Sequence, residues 1–182
     1  GQDAGLGTGF VVSSDGLIAT NLHVIGEARP ISVELSDGRV LDVTEIYATD
    51  QIADVAVIRV EADDLRPLPL ADAGSLRDGQ EVVAIGNPYG LERSVVVGRV
   101  SGRRTIGGME MIQLAIPIES GNSGGPLLDR SGKVHGILTL KSQVTRNLGF
   151  AVAGDRVQGL LKNPNPVLMN RWLTIGQLDP AE

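Results

Sequence analysis

The chain has 182 residues, of which 42% are apolar and 21% charged, and its formal net charge is −6. This is the composition of a globular protein long enough to bury a core, and the negative charge argues against a nucleic-acid-binding protein, which would carry a basic patch. The absence of cysteine excludes disulfides and thiolate metal sites, and no apolar run approaches the roughly 18 residues that a membrane-spanning helix needs.

The first half of the chain is predicted to consist of short strands separated by turns. Its opening glycines, within residues 5–9, are not followed by a helical pattern, which argues against a dinucleotide-binding fingerprint. The apolar runs that come next end at turn sequences such as residues 36–39 (SDGR). The predicted strands of this half are residues 17–20, 31–35, 40–47 and 53–60.

The second half repeats this pattern after a polar, turn-rich stretch at residues 71–79, the best candidate boundary between two halves. Residues 101–110 are predicted to form a short loop, and residues 155–162 a helix with one apolar side. The predicted strands here are residues 81–85, 94–100, 112–118, 134–140 and 149–152. Strands at a spacing of roughly 8–12 residues, with almost no helix, favour an all-β barrel or sandwich.

A serine surrounded by glycines lies between two of these strands, in residues 121–126 (GNSGGP). Because no neighbouring side chain crowds Ser123, its hydroxyl could act as a nucleophile on a tight loop. The backbone N–H groups of such a loop can also point at one spot and hold a developing oxyanion. The pattern alone leaves an ordinary hairpin turn open.

The chain has two histidines, and a single histidine is more often structural than catalytic. His135 lies in the alternating residues 133–136 (KVHG), so we interpret it as part of the surface face of a strand. His23 ends an apolar strand and is preceded by Thr20 and Asn21.

Asp54 gives His23 a candidate partner, because a carboxylate buried in the apolar residues 53–60 would need one. The alternative is an exposed aspartate at the start of an edge strand. If Asp54 faces His23, it orients the imidazole, which can then take the proton of Ser123 and return it to a leaving amine.

Several motifs now occur together in one order. They are residues 7–16 (GTGFVVSSDG), 20–24 (TNLHV), 54–58 (DVAVI), 83–91 (VAIGNPYGL), 121–127 (GNSGGPL) and 149–152 (GFAV). As a set they resemble the protease domain of the HtrA (Deg) branch of the trypsin-like serine proteases, over about residues 5–163. The order His, Asp, Ser is also the one that this two-barrel fold requires.

The resemblance implies a chymotrypsin-like fold of two packed six-stranded antiparallel β-barrels with a short C-terminal helix. The protease domain would span residues 1–163, with barrels at about 1–74 and 75–155 and the helix at about 155–162. Residues 164–182 would be a C-terminal tail or linker. Since the chain begins at Gly1 rather than Met, we expect a fragment or a processed form.

The resemblance also assigns a catalytic triad and its surroundings. The triad would be His23, Asp54 and Ser123, with the backbone N–H groups of Gly121 and Ser123 as the oxyanion hole. Thr139 would support the aspartate, and Leu140 and Lys141 would form the edge along which an extended substrate adds as a strand. The implied reaction is hydrolysis of peptide bonds in unfolded or extended polypeptides, with no cofactor and no metal.

The pocket before the scissile bond is expected to be apolar. Its candidate residues are Pro117, Ile118, Leu138 and Phe150, with no aspartate to pair a basic side chain. We therefore expect a preference for small or medium aliphatic residues. The family's habit implies the periplasm or cell envelope. The aromatic N-terminal extension that holds the family's trimers is absent, so no oligomeric state is predicted.

Residues 114–120 (LAIPIES) depart from the family's usual sequence before the serine. Glu119 and Ser120 of this stretch lie on the oxyanion loop, which leaves a catalytically silent peptide-binding or scaffolding module as the alternative function. An α/β-hydrolase is disfavoured, because that fold needs a helix directly after the serine and the order Ser, Asp, His.

Overall fold

The computed structural model describes residues 7–26, 30–86, 94–116, 121–139 and 149–169. These residues form twelve strands and two helices. The strands are β1 (Phe10–Val11), β2 (Leu17–Asn21), β3 (Ser32–Glu34), β4 (Val40–Asp50), β5 (Val55–Val60), β6 (Glu81–Gly86), β7 (Ser94–Ile106), β8 (Met109–Leu114), β9 (Pro126–Leu128), β10 (Val134–Thr139), β11 (Gly149–Ala153) and β12 (Val167–Leu168). The helices are α1 (Leu22–Gly26) and α2 (Asp155–Lys162), and within the described ranges neither has the length and apolarity to cross a membrane.

The first six-stranded sheet follows the order β1-β2-β5-β4-β12, with β3 paired to β4. Strand β5 lies in the middle and is buried along almost its whole length, as its β-branched, apolar sequence predicts. Strands β3 and β4 form the hairpin that residues 36–39 predict, and Gly38 takes a φ of 91° in its turn.

Strands β6 to β11 form a closed antiparallel barrel in the order β10-β11-β8-β7-β6-β9. The predicted loop at residues 101–110 is wrong, because β7 continues to Ile106 and β8 begins at Met109. The two strands are joined by Gly107 and Gly108, whose φ angles of 59° and 80° allow a tight turn. The predicted all-β class with two six-stranded antiparallel units is confirmed; the second unit closes into a barrel, whereas the described strands of the first form a six-stranded sheet.

The two units pack against each other through a common hydrophobic cluster, and each also has a cluster of its own. A single cluster joins Phe10, Ala19 and Val55 of the first sheet to Leu128 and Phe150 of the barrel. Helix α2 contributes the fully buried Val157 to the same cluster, and Leu160 and Leu161 pack beside it, as the predicted apolar side requires. This common cluster fixes the cleft between the units, where side chains from both can meet.

The first sheet also includes residues that follow α2. Strand β12 pairs with β4, with Val167 opposite Ile46. Just before it, Asn165 accepts a hydrogen bond from the Thr49 N–H through Oδ1, at 2.8 Å, and donates through Nδ2 to the Thr49 carbonyl, at 3.3 Å. These residues lie in the range predicted as a tail or linker, and they add an edge strand to the first unit.

The interpretation of His135 as a surface residue is wrong. Its side chain is buried, and Nε2 lies 2.8 Å from Oδ2 of Asp129. The pairing of β9 with β10 shifts register between Val134 and Gly136, and all six residues of β10 are buried. A bulge of this kind interrupts the simple alternation on which the sequence prediction rested.

Asp129 is the centre of a small hydrogen-bond network. Burial by itself raises the pKa of the Asp129 carboxyl, but hydrogen bonds from the Ser131 hydroxyl, His135 and the backbone N–H groups of Lys133 and Ser131 outweigh burial and hold that pKa well below its usual range. The folded state therefore favours the ionised carboxylate.

We expect Asp129→Asn to lower the free energy of unfolding by about 2 kcal/mol at pH 7, because a charged acceptor of several hydrogen bonds is lost. Since the pKa of Asp129 is lower in the folded than in the unfolded state, its stabilising effect is complete above the unfolded value of about 4, decreases below it and is lost only as the pH falls through the lower pKa of the folded state. Urea unfolding at pH 7 and pH 3 measures this. An equal loss of stability at both pH values would contradict it.

Candidate active site

The fold places His23 beside Asp54 through the pairing of β2 with β5. Asn21, the last residue of β2, is opposite Val55, the first residue of β5. The residues that follow Asn21 and precede Val55 are therefore neighbours, and the Leu22 N–H donates to the Asp54 carbonyl at 3.0 Å. Asp54 has a φ of 59°, a left-handed conformation that aspartate tolerates better than most residues.

Three side chains from both units meet at this point. His23 Nδ1 lies 2.5 Å from Asp54 Oδ2, and the His23 N–H donates to Asp54 Oδ1 at 2.9 Å. Ser123 Oγ lies 3.0 Å from His23 Nε2 on the other side of the ring. The carboxylate thus contacts the imidazole and the imidazole contacts the hydroxyl, the contacts that a proton transfer from serine requires.

The environments of these groups differ. Asp54 is 5% exposed and precedes a central strand, so the alternative of an exposed residue on an edge strand does not hold. The side chain of His23 is 43% exposed, so it can meet a substrate. The buried carboxylate holds one ring nitrogen of His23, and the other ring nitrogen faces Ser123.

The loop that carries Ser123 is anchored to both units. Thr8 donates to the Gly121 carbonyl through Oγ1, at 2.6 Å, and to the Ser123 carbonyl through its N–H, at 3.0 Å. The Gly124 N–H donates to the carbonyl of Leu138 at 2.8 Å. Glycine is needed at position 124, where φ is 93° and an added Cβ would collide with the Thr8 carbonyl and the Thr20 hydroxyl.

We therefore expect Gly124→Ala to displace the serine loop, lower stability by about 3 kcal/mol and reduce any activity of Ser123 by at least about tenfold. Gly132→Ala is the matched control, since Gly132 has a similar φ of 85° but open space around its Cα. Thermal unfolding and hydrolysis rates of the two variants measure the difference. Equal effects would mean that backbone strain, rather than the collision, dominates at position 124.

The backbone N–H groups of Gly121 and Ser123 are the donors of the predicted oxyanion hole. Neither donates to an acceptor within the described ranges, whereas the N–H groups of Gly124 and Gly125 both do. Gly121 has a φ of 96°, which only glycine adopts readily. Two backbone donors beside a hydroxyl could bind an anionic oxygen.

Of the remaining predicted residues, the structure describes Thr139, Leu138 and Phe150. Thr139 and Asp54 line the same cavity of about 280 Å³, which lies between the two units. Leu138 and Phe150 are buried in the barrel on β10 and β11, and the backbone of Leu138 is bonded to the serine loop. The other predictions lie outside the described residues, namely Pro117, Ile118, Leu140 and Lys141, together with Glu119 and Ser120.

Sequence reasoning missed Asn21 as a member of the site. Its Oδ1 accepts a hydrogen bond from Ser123 Oγ at 2.6 Å, and its Nδ2 donates to the Asp54 carbonyl at 3.0 Å. The sequence feature that could have indicated it is an asparagine at the end of a buried strand, because a buried amide needs hydrogen-bond partners for both its oxygen and its nitrogen. Within the described part of the chain, no group of three or more His, Cys, Asp or Glu residues is placed to hold a metal ion.

Comparison with known proteins matches the chain to a family and to solved folds. The trypsin-like peptidase domain model matches residues 7–137. A structure of the serine endoprotease from Yersinia pestis superimposes with a TM-score of 0.77 and 33% identity, covering 86% of this chain and 56% of that one.

Curated relatives give the same picture at higher identity. The chain is 45% identical over 150 residues to a Halomonas elongata protein named "Probable periplasmic serine endoprotease DegP-like", covering 80% of this chain and 31% of that protein. It is 38% identical over 178 residues to "Serine protease HTRA2, mitochondrial" of Bos taurus, covering 93% of this chain and 38% of that protein.

The chain thus spans less than half the length of these curated relatives. Their names assign them to different compartments, so they do not determine where this chain is located. Because the family model covers well over half of the chain and the fold agrees with it, the chain belongs to the trypsin-like peptidase family and is an HtrA-like protease domain.

Proposed function

We propose that this chain is a serine endopeptidase that uses Ser123, His23 and Asp54 as its catalytic triad. The observation that carries the proposal is the continuous contact from the Asp54 carboxylate through the His23 ring to Ser123 Oγ, at 2.5 and 3.0 Å. The names of the relatives, which are serine proteases, support the same chemistry.

In the proposed reaction, Ser123 Oγ forms a bond to the substrate carbonyl carbon while His23 Nε2 takes the hydroxyl proton. The carbonyl oxygen becomes an oxyanion and accepts hydrogen bonds from the N–H groups of Gly121 and Ser123. His23 then gives its proton to the amine nitrogen as the carbon–nitrogen bond breaks. Water repeats the two proton transfers on the acyl-enzyme, which releases the acid and restores Ser123.

The proposed substrates are unfolded or extended polypeptides. Ser123 is only 3% exposed, so a slender backbone segment can reach its hydroxyl more readily than the surface of a folded domain. The cavity beside Asp54 is mostly apolar, and its lining includes Ile52, Ile106 and Met111. That cavity contains none of the predicted pocket residues. The proposed preference for small or medium aliphatic side chains before the scissile bond rests instead on Leu138 and Phe150, which are apolar and buried.

The relatives support more than one compartment. The name of the Halomonas relative supports the periplasm or cell envelope, which we retain as the proposed location. The mitochondrial name of the cattle relative supports an organelle instead. Cell fractionation of the source organism distinguishes them.

Turnover of casein tests the proposed activity. We expect the wild-type chain to cleave casein, a matched folded protein to be spared, and Ser123→Ala to be inactive. Mass spectrometry of the products should show cleavage mainly after aliphatic residues. Cleavage mainly after Lys or Arg would overturn the proposed preference, and casein binding without cleavage would favour the silent peptide-binding module.

A further inference from the structure

The side chain of Asn21 connects two members of the proposed triad. It has no solvent-exposed surface, and it lies between Ser123 and the backbone of Asp54. Its distance of 2.6 Å from Ser123 Oγ is shorter than the 3.0 Å that separates the same Oγ from His23 Nε2. The nucleophile is therefore held most closely by a residue outside the triad.

The orientation of this amide follows from its partners. The Asp54 carbonyl can only accept a hydrogen bond, so the amide nitrogen of Asn21 must face it, at 3.0 Å. The amide oxygen must then face Ser123, and since it can only accept, the serine hydroxyl must donate. The single proton of Ser123 thus has two acceptors within reach, Asn21 Oδ1 and His23 Nε2.

We propose that Asn21 is a positioning residue for the nucleophile, an inference that rests on the proposed function of this site. Before substrate binds, the Ser123 hydroxyl donates to Asn21, which fixes Oγ at the edge of the His23 ring. When the hydroxyl group rotates so that its proton faces His23 Nε2, Oγ is already in the position that the transfer requires. The amide of Asn21 cannot itself take the proton, so it competes with His23 for orientation only.

A purely structural role explains these contacts less well. The Asp54 carbonyl also accepts a hydrogen bond from the Leu22 N–H, at 3.0 Å, so the backbone there keeps a partner without Asn21. The bond to Ser123 is the one whose loss reaches a reacting atom. Removing it leaves Oγ free to rotate away from Nε2, and small displacements of a nucleophile slow reactions strongly.

The test compares Asn21→Ala with the wild-type chain. The probe is a fluorophosphonate, and the rate constant of labelling is measured per titrated active site, so that it does not depend on how much of each variant folds. Values of kcat and KM for a chromogenic peptide with an aliphatic residue before the bond are measured alongside. Asn165→Ala is the control for loss of an asparagine side chain, since Asn165 also bonds through both amide atoms, to the Thr49 backbone of β4, and contacts no member of the triad through them.

We expect Asn21→Ala to lower the labelling rate constant and kcat by about tenfold, the effect of losing one hydrogen bond to a reacting atom, with KM changed less than about twofold. Asn165→Ala should keep the wild-type rate constant. A fall in melting temperature with an unchanged rate constant per site would show a structural role only and overturn the proposal.

A faster Asn21→Ala would also overturn it, since the amide would then withhold the proton rather than position the oxygen. If the wild-type chain is labelled and Asn21→Ala is labelled with the same rate constant, the proposed function stands and this inference fails. If the wild-type chain does not label at all, the proposed function fails, and the inference fails with it.

Discussion

His23→Ala should lower kcat for peptide hydrolysis by about 10⁶-fold, and the double variant His23→Ala/Ser123→Ala should be no slower than either single variant. In the proposed mechanism Ser123 and His23, 3.0 Å apart, act as one unit, so removing the base would leave a hydroxyl that reacts hardly better than water. Both rates are measured on one chromogenic peptide under saturating conditions.

The chain offers a matched control for this prediction. His135 also pairs with an aspartate, at 2.8 Å, but it lies in the barrel away from Ser123. His135→Ala should therefore lower stability and leave kcat per folded molecule unchanged. If the fold-reduction in kcat of the double variant equals the product of the two single reductions, His23 and Ser123 act separately, which would contradict the prediction.

Asp54→Asn should lower kcat by about 10⁴-fold with little change in KM. The asparagine fits the same space, but its amide nitrogen can donate to His23 Nδ1 and so favour the wrong tautomer of the ring. It also removes the charge that stabilises the imidazolium. The pH dependence of kcat and burst-phase kinetics measure the effect on the chemical step.

Asp129→Asn is the control for Asp54→Asn, because it makes the same substitution in the aspartate of a second His–Asp pair. It should cost stability and leave kcat unchanged. A similar fall in kcat for both variants would show that Asp54 supports the fold rather than the reaction.

Much of the fold could be predicted from local pattern because most strands bury one or both faces and are bounded by turn residues. Strand β2 and helix α2 agree with their predicted residues to within one position. Strand β7 was predicted too short, because its residues 101–105 are mostly exposed and polar. They are a strand because β8 pairs with them, and pairing with a distant segment is not visible in the local sequence.

The candidate site could be predicted further than pattern alone allows, since its motifs resemble a known family. His23 and Asp54 also stand out physically, as a carboxylate in an apolar run needs a partner. The roles of Asn21 and His135 could not be predicted from the sequence. Their roles depend on contacts with Ser123 and Asp129, which only the folded chain brings near them.

Labelling by a fluorophosphonate, followed by peptide mapping, tests most directly whether Ser123 is an activated nucleophile. We predict that the wild-type chain gains the mass of one phosphonyl group on Ser123, and that folded Ser123→Ala gains none. A folded wild-type chain that remains unlabelled would contradict the proposed triad. Equal labelling of the wild-type chain and Ser123→Ala would contradict it as well.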